Sequence, residues 1–173
     1  MLRVLLSLTL LLALPAALAD TPGEVKVGEI LPDAVMQGLN GPSRRLSEFR
    51  GQPLIINVWA SWCPPCRAEM ASLERLAWLD DSAPFVVIGI STDDDREQAK
   101  AALATFNATI THFIDSRQRL ENMLGASTIP LTVLVGADGR VIVKVHGARD
   151  WDGPEALELI NEAFGTKLSA PRQ

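Results

Sequence analysis

Residues 57–71 read Asn57-Val58-Trp59-Ala60-Ser61-Trp62-Cys63-Pro64-Pro65-Cys66-Arg67-Ala68-Glu69-Met70-Ala71 and hold both cysteines of the chain. An apolar run of β type (Leu54, Ile55, Ile56, Val58, Trp59) precedes the pair and a helical pattern follows it, which places Cys63 at a strand-to-helix junction. The first turn of a helix presents unpaired N–H groups and the positive end of the dipole, worth about 0.3 to 2 kcal/mol to an adjacent anion. The thiolate of Cys63 is favoured. Cys66 lies one turn further in and is expected to be less exposed and to keep its proton longer. Disulfide exchange starts with attack by a thiolate and ends when a second thiol resolves the mixed disulfide. Cys63 is thus the attacking residue and Cys66 the resolving one.

Two other readings of the pair are weaker. A structural disulfide here closes a four-residue loop, worth roughly 2 kcal/mol against nearly 5 for a loop of about 100 residues in the chain-entropy model. A tetrahedral zinc site takes about four ligands. The chain has two cysteines and two histidines, and neither His112 nor His146 is near the pair in sequence. The sequence is read as holding no metal and no separate cofactor, with the Cys63–Cys66 disulfide as the redox group.

Trp-Cys-Pro-Pro-Cys after an apolar strand resembles the thioredoxin superfamily. The wider frame of Gly51, Asn57, Trp59-Ala60-Ser61-Trp62, Arg67 and Glu69 resembles its TlpA/ResA/CcmG branch of membrane-associated or periplasmic thiol-disulfide proteins, over about residues 28–165. The resemblance implies a periplasmic thiol:disulfide oxidoreductase acting on protein disulfides and thiols. It implies a reductant, supplied by a membrane electron donor of DsbD or CcdA type and serving cytochrome c maturation or repair of exported thiols. It also implies that Ile129-Pro130 is a cis bond beside the disulfide, with Ile129 pairing to an extended substrate segment and Pro130 keeping metal ions from the thiols. Trp62, Pro64 and Pro65 complete the expected substrate surface, and Pro65 is the feature shared with reducing members.

Glu69 stands three residues after Cys66, on one helical face with it, where its carboxylate can accept or return the Cys66 proton; a solvated Glu paired with an Arg is the other reading. Two departures from the branch stand out. Met70-Ala71 occupies the place where many members have a helix-kinking proline, and Asn57 stands where cytoplasmic thioredoxins have a buried Asp. A copper-delivery module is a competing class, but related copper carriers add a His to a wider cysteine spacing. A peroxiredoxin-like peroxidase calls for Pro-x-x-x-Thr-x-x-Cys, and Ala60 occupies the Thr position.

Working outward, residues 24–50 scatter apolar residues among Gly28, Pro32, Gly38, Gly41 and Pro42. This suggests a cap of short strands and turns with Asn40-Gly41 at a hairpin tip, or else a plain amino-terminal extension. Leu46 to Arg50 reads as one helical turn closed by Gly51. Helices are expected at Cys63 to about Asp80, Arg96 to Thr105 behind the capping cluster Ser91 to Asp95, Arg117 to Leu124 stopped by Gly125, and Gly153 to Ala163 capped by Asp152. Strands are expected at Leu54–Trp59, Phe85–Ile90, Phe113-Ile114, Leu131–Val135 and Val141–Val145. The order gives an α/β, thioredoxin-like fold: a mixed central sheet with helices on both faces and an N-terminal β-rich extension. Trp59 is expected in the core and Trp62 on the rim, while Trp78 and Trp151 are assigned packing alone. His112 and His146 are read as surface or satisfied histidines.

Residues 1–19, with Arg3, an apolar run from Val4 to Leu14 and Ala17-Leu18-Ala19, read as a signal peptide. Retention as an uncleaved anchor is the alternative, although the run is shorter than the roughly 20 residues of a comfortable span. Residues 20–168 form one domain, with a core at about 46–165 and a tail at 169–173. A net charge of −5 without a basic cluster argues against nucleic acid and anionic membrane surfaces as partners. A monomer is expected.

Overall fold

The computed structural model describes residues 21, 23–79 and 85–169. The signal-peptide reading and nearly all of the tail lie outside them. No helix among the described residues is long and apolar enough to cross a membrane.

The strand Leu54–Trp59 (here β3, after β1 Val35–Gly38 and β2 Arg44–Arg45) is buried at every position, because both of its faces are covered. Leu54, Ile56 and Val58 point into one apolar cluster with Leu46, Phe49, Leu120 and Leu124; Ile55 points into another with Leu73, Leu76, Leu157 and Ile160. β3 is central in a mixed seven-stranded sheet of order β2-β1-β5-β4-β3-β6-β7, where β4 is Val86–Ser91, β5 Thr111–Ile114, β6 Leu131–Val135 and β7 Val141–His146. It pairs in parallel with β4 and antiparallel with β6. The helices α1 (Pro64–Ala77), α2 (Arg96–Phe106) and α4 (Pro154–Phe164) cover the face of Ile55 and Trp59, and α3 (Arg119–Leu124) covers the other.

The amino-terminal segment is part of this sheet. β1 pairs with β5, and β1 and β2 form a hairpin whose loop contains Asn40-Gly41. A 3-10 turn at Leu46–Phe49 follows, and Gly51 just after it has φ +96°.

Beyond one-residue shifts at the ends of several elements, four features differ from the sequence expectation. α1 ends at Ala77, where the Trp78 and Leu79 N–H groups turn back to the Arg75 and Leu76 carbonyls respectively, so the helix does not reach Asp80. α3 starts at Arg119 because the Asp115 carboxylate takes the N–H groups of Arg119, Leu120 and Glu121. β5 begins at Thr111, before Phe113. Asp152 does not cap α4: Gly153 holds the N-cap position, and Asp152 is held by Arg75 at 2.6 and 2.8 Å.

Candidate active site

β3 delivers the chain to Ala60, and the next three residues make the turn that starts α1. Cys63 is the N-cap of that helix and Cys66 its third residue, joined by a disulfide. An N-cap side chain accepts from the second or third amide of the helix. Pro64 and Pro65 have no N–H, so the Cys66 amide is the first-turn donor left to face the sulfur, and it does so at 3.3 Å. Cys63 is 3% exposed and Cys66 is fully buried, whereas Trp62 is 67% exposed and both prolines face solvent. The Ile129–Pro130 bond is cis, and the Ile129 carbonyl lies 3.9 Å from the Cys63 sulfur.

Glu69 is only 2% exposed, so the solvated, Arg-paired reading does not hold. Its Oε1 accepts from Asn57 Nδ2 at 2.7 Å; its Oε2 accepts from the Arg149 amide at 3.1 Å and the Trp151 indole N–H at 3.0 Å. Burial pushes its pKa above the usual carboxylate range, against the pull of these three donors. Asn57 also donates to Thr132 at 3.0 Å, leaving its buried carbonyl oxygen without a partner among the described residues. α1 runs unbroken through Met70-Ala71.

Two participants escaped the sequence reading. The first is Trp151, assigned packing alone but hydrogen-bonded to Glu69. The second is Asp93, read as surface or capping residue with its acidic neighbours. Asp95 does cap α2, accepting from Glu97 and Gln98, but Asp93 is 2% exposed. Its carboxylate accepts from the Ser61 amide at 2.9 Å, the Ser61 hydroxyl at 2.6 Å and the Ser91 hydroxyl at 2.7 Å. It thereby fixes the turn that carries Trp62 and Cys63. The available signal was a small polar residue on each side of the gap, Ser61 after β3 and Ser91 ending β4. Asp93→Ala leaves the Ser61 amide unpaired, and we expect a loss of about 2 to 3 kcal/mol in urea unfolding. Exchange by the folded fraction should also slow; unchanged values in both measurements would remove Asp93 from the site's framework.

His112 is likewise internal, against the expectation of a surface or satisfied residue. Its Nδ1 accepts from the Trp59 indole N–H at 3.2 Å, and its buried Nε2 has no partner among the described residues. A Cβ on Gly89 would meet the His112 ring at 2.1 Å, so glycine makes room for it. Burial pushes its pKa down to about 4. With the folded value below the unfolded one, its contribution is full above about pH 6.5 and is lost as the pH falls toward 4. The loss amounts to about 3 kcal/mol over that window. His112→Gln is expected to flatten the stability profile there relative to wild type, and parallel profiles would contradict the assignment.

A thioredoxin-like sheet with a capped Cys-x-x-Cys disulfide, a cis-proline beside the Cys63 sulfur and a buried carboxylate one turn away defines a thiol-disulfide oxidoreductase. The chain belongs to the Redoxin family, whose model matches residues 26–160. It is 32% identical over 133 residues to the thiol:disulfide interchange protein DsbE of Vibrio cholerae, covering 73% of this chain and 70% of that one. It is 27% identical over 147 residues to the thiol-disulfide oxidoreductase ResA of Geobacillus thermodenitrificans, covering 80% and 84%. Among solved structures, a Chlorobium tepidum protein described as a thiol:disulfide interchange protein DsbE superposes with a TM-score of 0.74 at 24% identity, covering 81% of this chain and 99% of that one. This last likeness shows the shared fold.

Proposed function

We propose that this oxidoreductase is a periplasmic reductant of disulfides in exported proteins, fed by a membrane donor of DsbD or CcdA type. The observation that carries the direction is the pair of prolines in the first turn of α1. With Pro65 at the second helical position, the Cys63 sulfur keeps one amide donor where an ordinary helix start offers two. That is enough to favour a nucleophilic thiolate. It stabilises the reduced form less than a fully hydrogen-bonded cap, and about 1.4 kcal/mol in that balance is 30 mV of potential.

The chemistry then runs in two steps. The Cys63 thiolate attacks a substrate disulfide; a Cys63–substrate S–S bond forms, and the first substrate sulfur leaves with the electron pair. Glu69 takes the proton from the Cys66 thiol, whose sulfur attacks Cys63, and the second substrate sulfur leaves. Substrate is reduced to the dithiol and the enzyme is left oxidised. Trp62, Pro64 and Pro65 form the exposed rim that meets substrate, and Ile129 with Pro130 provides the backbone ledge beside the sulfur. Reduction of cysteines for cytochrome c maturation is the role that fits the TlpA/ResA/CcmG branch, with general repair of exported thiols next.

Equilibration in glutathione or dithiol buffers tests the direction. We expect a potential near that of thioredoxin, about −270 mV; a value near the roughly −120 mV of a strong oxidant such as DsbA would overturn it.

A further inference from the structure

The segment that follows β7, residues 147–152, lies across α1 and is tied down at both ends. The Gly147 amide donates to the Pro130 carbonyl at 2.9 Å, and Asp152 accepts the Arg75 guanidinium. Between these ties, the Trp151 amide donates to Ser72 Oγ at 3.0 Å, and Ser72 Oγ donates to the Glu69 carbonyl at 2.7 Å. One carboxylate oxygen of Glu69 thus receives two donors from a single segment, the Arg149 amide and the Trp151 indole. The Trp151 ring is fully buried among Leu73, Leu76, Leu157 and Ile160. A phenyl ring supplies apolar packing in such a space, though less of it; the indole N–H is what only tryptophan brings.

We infer that Trp151 is a positioning residue for disulfide exchange: its indole N–H holds Glu69 oriented and ionised so that it can take the proton of Cys66. The inference rests on the reading of Glu69 as that proton acceptor. Burial favours the neutral acid and hydrogen bonds to the carboxylate favour the anion, so removing one donor shifts the balance toward the acid. The surroundings leave few competing titrations. β3 and β6 carry no titratable side chain, and besides Glu69 α1 carries Cys66, Arg67, Glu74 and Arg75, of which Glu74 is engaged with Thr109 and Ile110. The covering segment brings Arg149, Asp150 and Asp152, of which both aspartates engage Arg75. Next to that segment, at the end of β7, His146 is exposed.

The test is the pH profile of the Cys66-dependent step, measured in single turnover on the full chain with a mixed disulfide between Cys63 and glutathione. Trp151→Phe should displace the profile to higher pH and slow the step on its rising limb by roughly tenfold to a hundredfold, the loss of one hydrogen bond to a charged group. The alkaline plateau should be kept, and adding Trp151→Phe to Glu69→Gln should change nothing more. A benzothiophene isostere of tryptophan, which keeps the ring and lacks the N–H, should reproduce the displacement even if the phenylalanine variant folds poorly. A profile unmoved by the isostere while Glu69→Gln alters it would overturn the role of Trp151 and leave Glu69 in place. A profile unmoved by Glu69→Gln would overturn both.

Discussion

Cys63→Ser is expected to reduce disulfide exchange to background, whereas Cys66→Ala is expected to retain attack and stop at a covalent adduct, one substrate per enzyme. The asymmetry follows from place in the helix. Cys63 is the N-cap, with its sulfur facing the Cys66 amide and the Ile129 carbonyl at the edge of the exposed rim. Cys66 is fully buried one turn further in, within bonding reach of the Cys63 sulfur. Non-reducing electrophoresis and mass spectrometry of the Cys66→Ala protein, recovered from the cells that express it, read the adducts directly. Normal turnover by that variant would reverse the order of attack, and the identity of the trapped proteins would decide between cytochrome c maturation and general thiol repair.

Glu69→Gln has the next largest expected effect. A positioned acid or base contributes roughly 10²- to 10⁴-fold, so the Cys66-dependent step should slow by about a hundredfold while attack by Cys63 is little changed. The pH dependence works in one direction. Burial raises the carboxylate's pKa, so the base form is gained as pH rises through that raised value, and the step accelerates with it. Stability moves the opposite way: the neutral acid suits the buried site, and its contribution is lost as pH rises through the folded pKa. The glutamine variant should flatten both profiles. If stopped-flow traces show the second step unchanged in rate and pH profile, Glu69 is a structural residue that merely anchors Asn57, Arg149 and Trp151.

Much of this was legible before the fold was seen, because the strong signals are local. The apolar run at Leu54–Trp59, the proline-started helix after Cys63 and Gly125 ending α3 each carry their own conformational reason. Those elements are where the sequence places them, except that α1 ends early, at Ala77, and α3 starts late, at Arg119. The cis bond at Pro130 was legible only by resemblance, since the dipeptide itself does not specify it. What the sequence concealed depends on contacts between distant segments. Asp93 looks like any of three consecutive aspartates until Ser61 folds over it, 32 residues away. Asn57 looked like a lost proton acceptor, yet its amide hydrogen-bonds the carboxylate twelve residues on. Trp151 reaches the same group from 82 residues away, and His112 meets Trp59 across 53. Asp152 carried a correct capping signature that Arg75, from another helix, outcompetes. Spacing cannot encode such choices.

The most direct test is a titration of the reduced protein, following thiolate absorbance with each cysteine replaced in turn. Cys63 should ionise well below the ordinary free-thiol value of about 8.5, with Cys66 still protonated when it does. Two sulfurs that lose their protons together, at or above that value, would contradict the division of labour on which the whole reaction scheme stands.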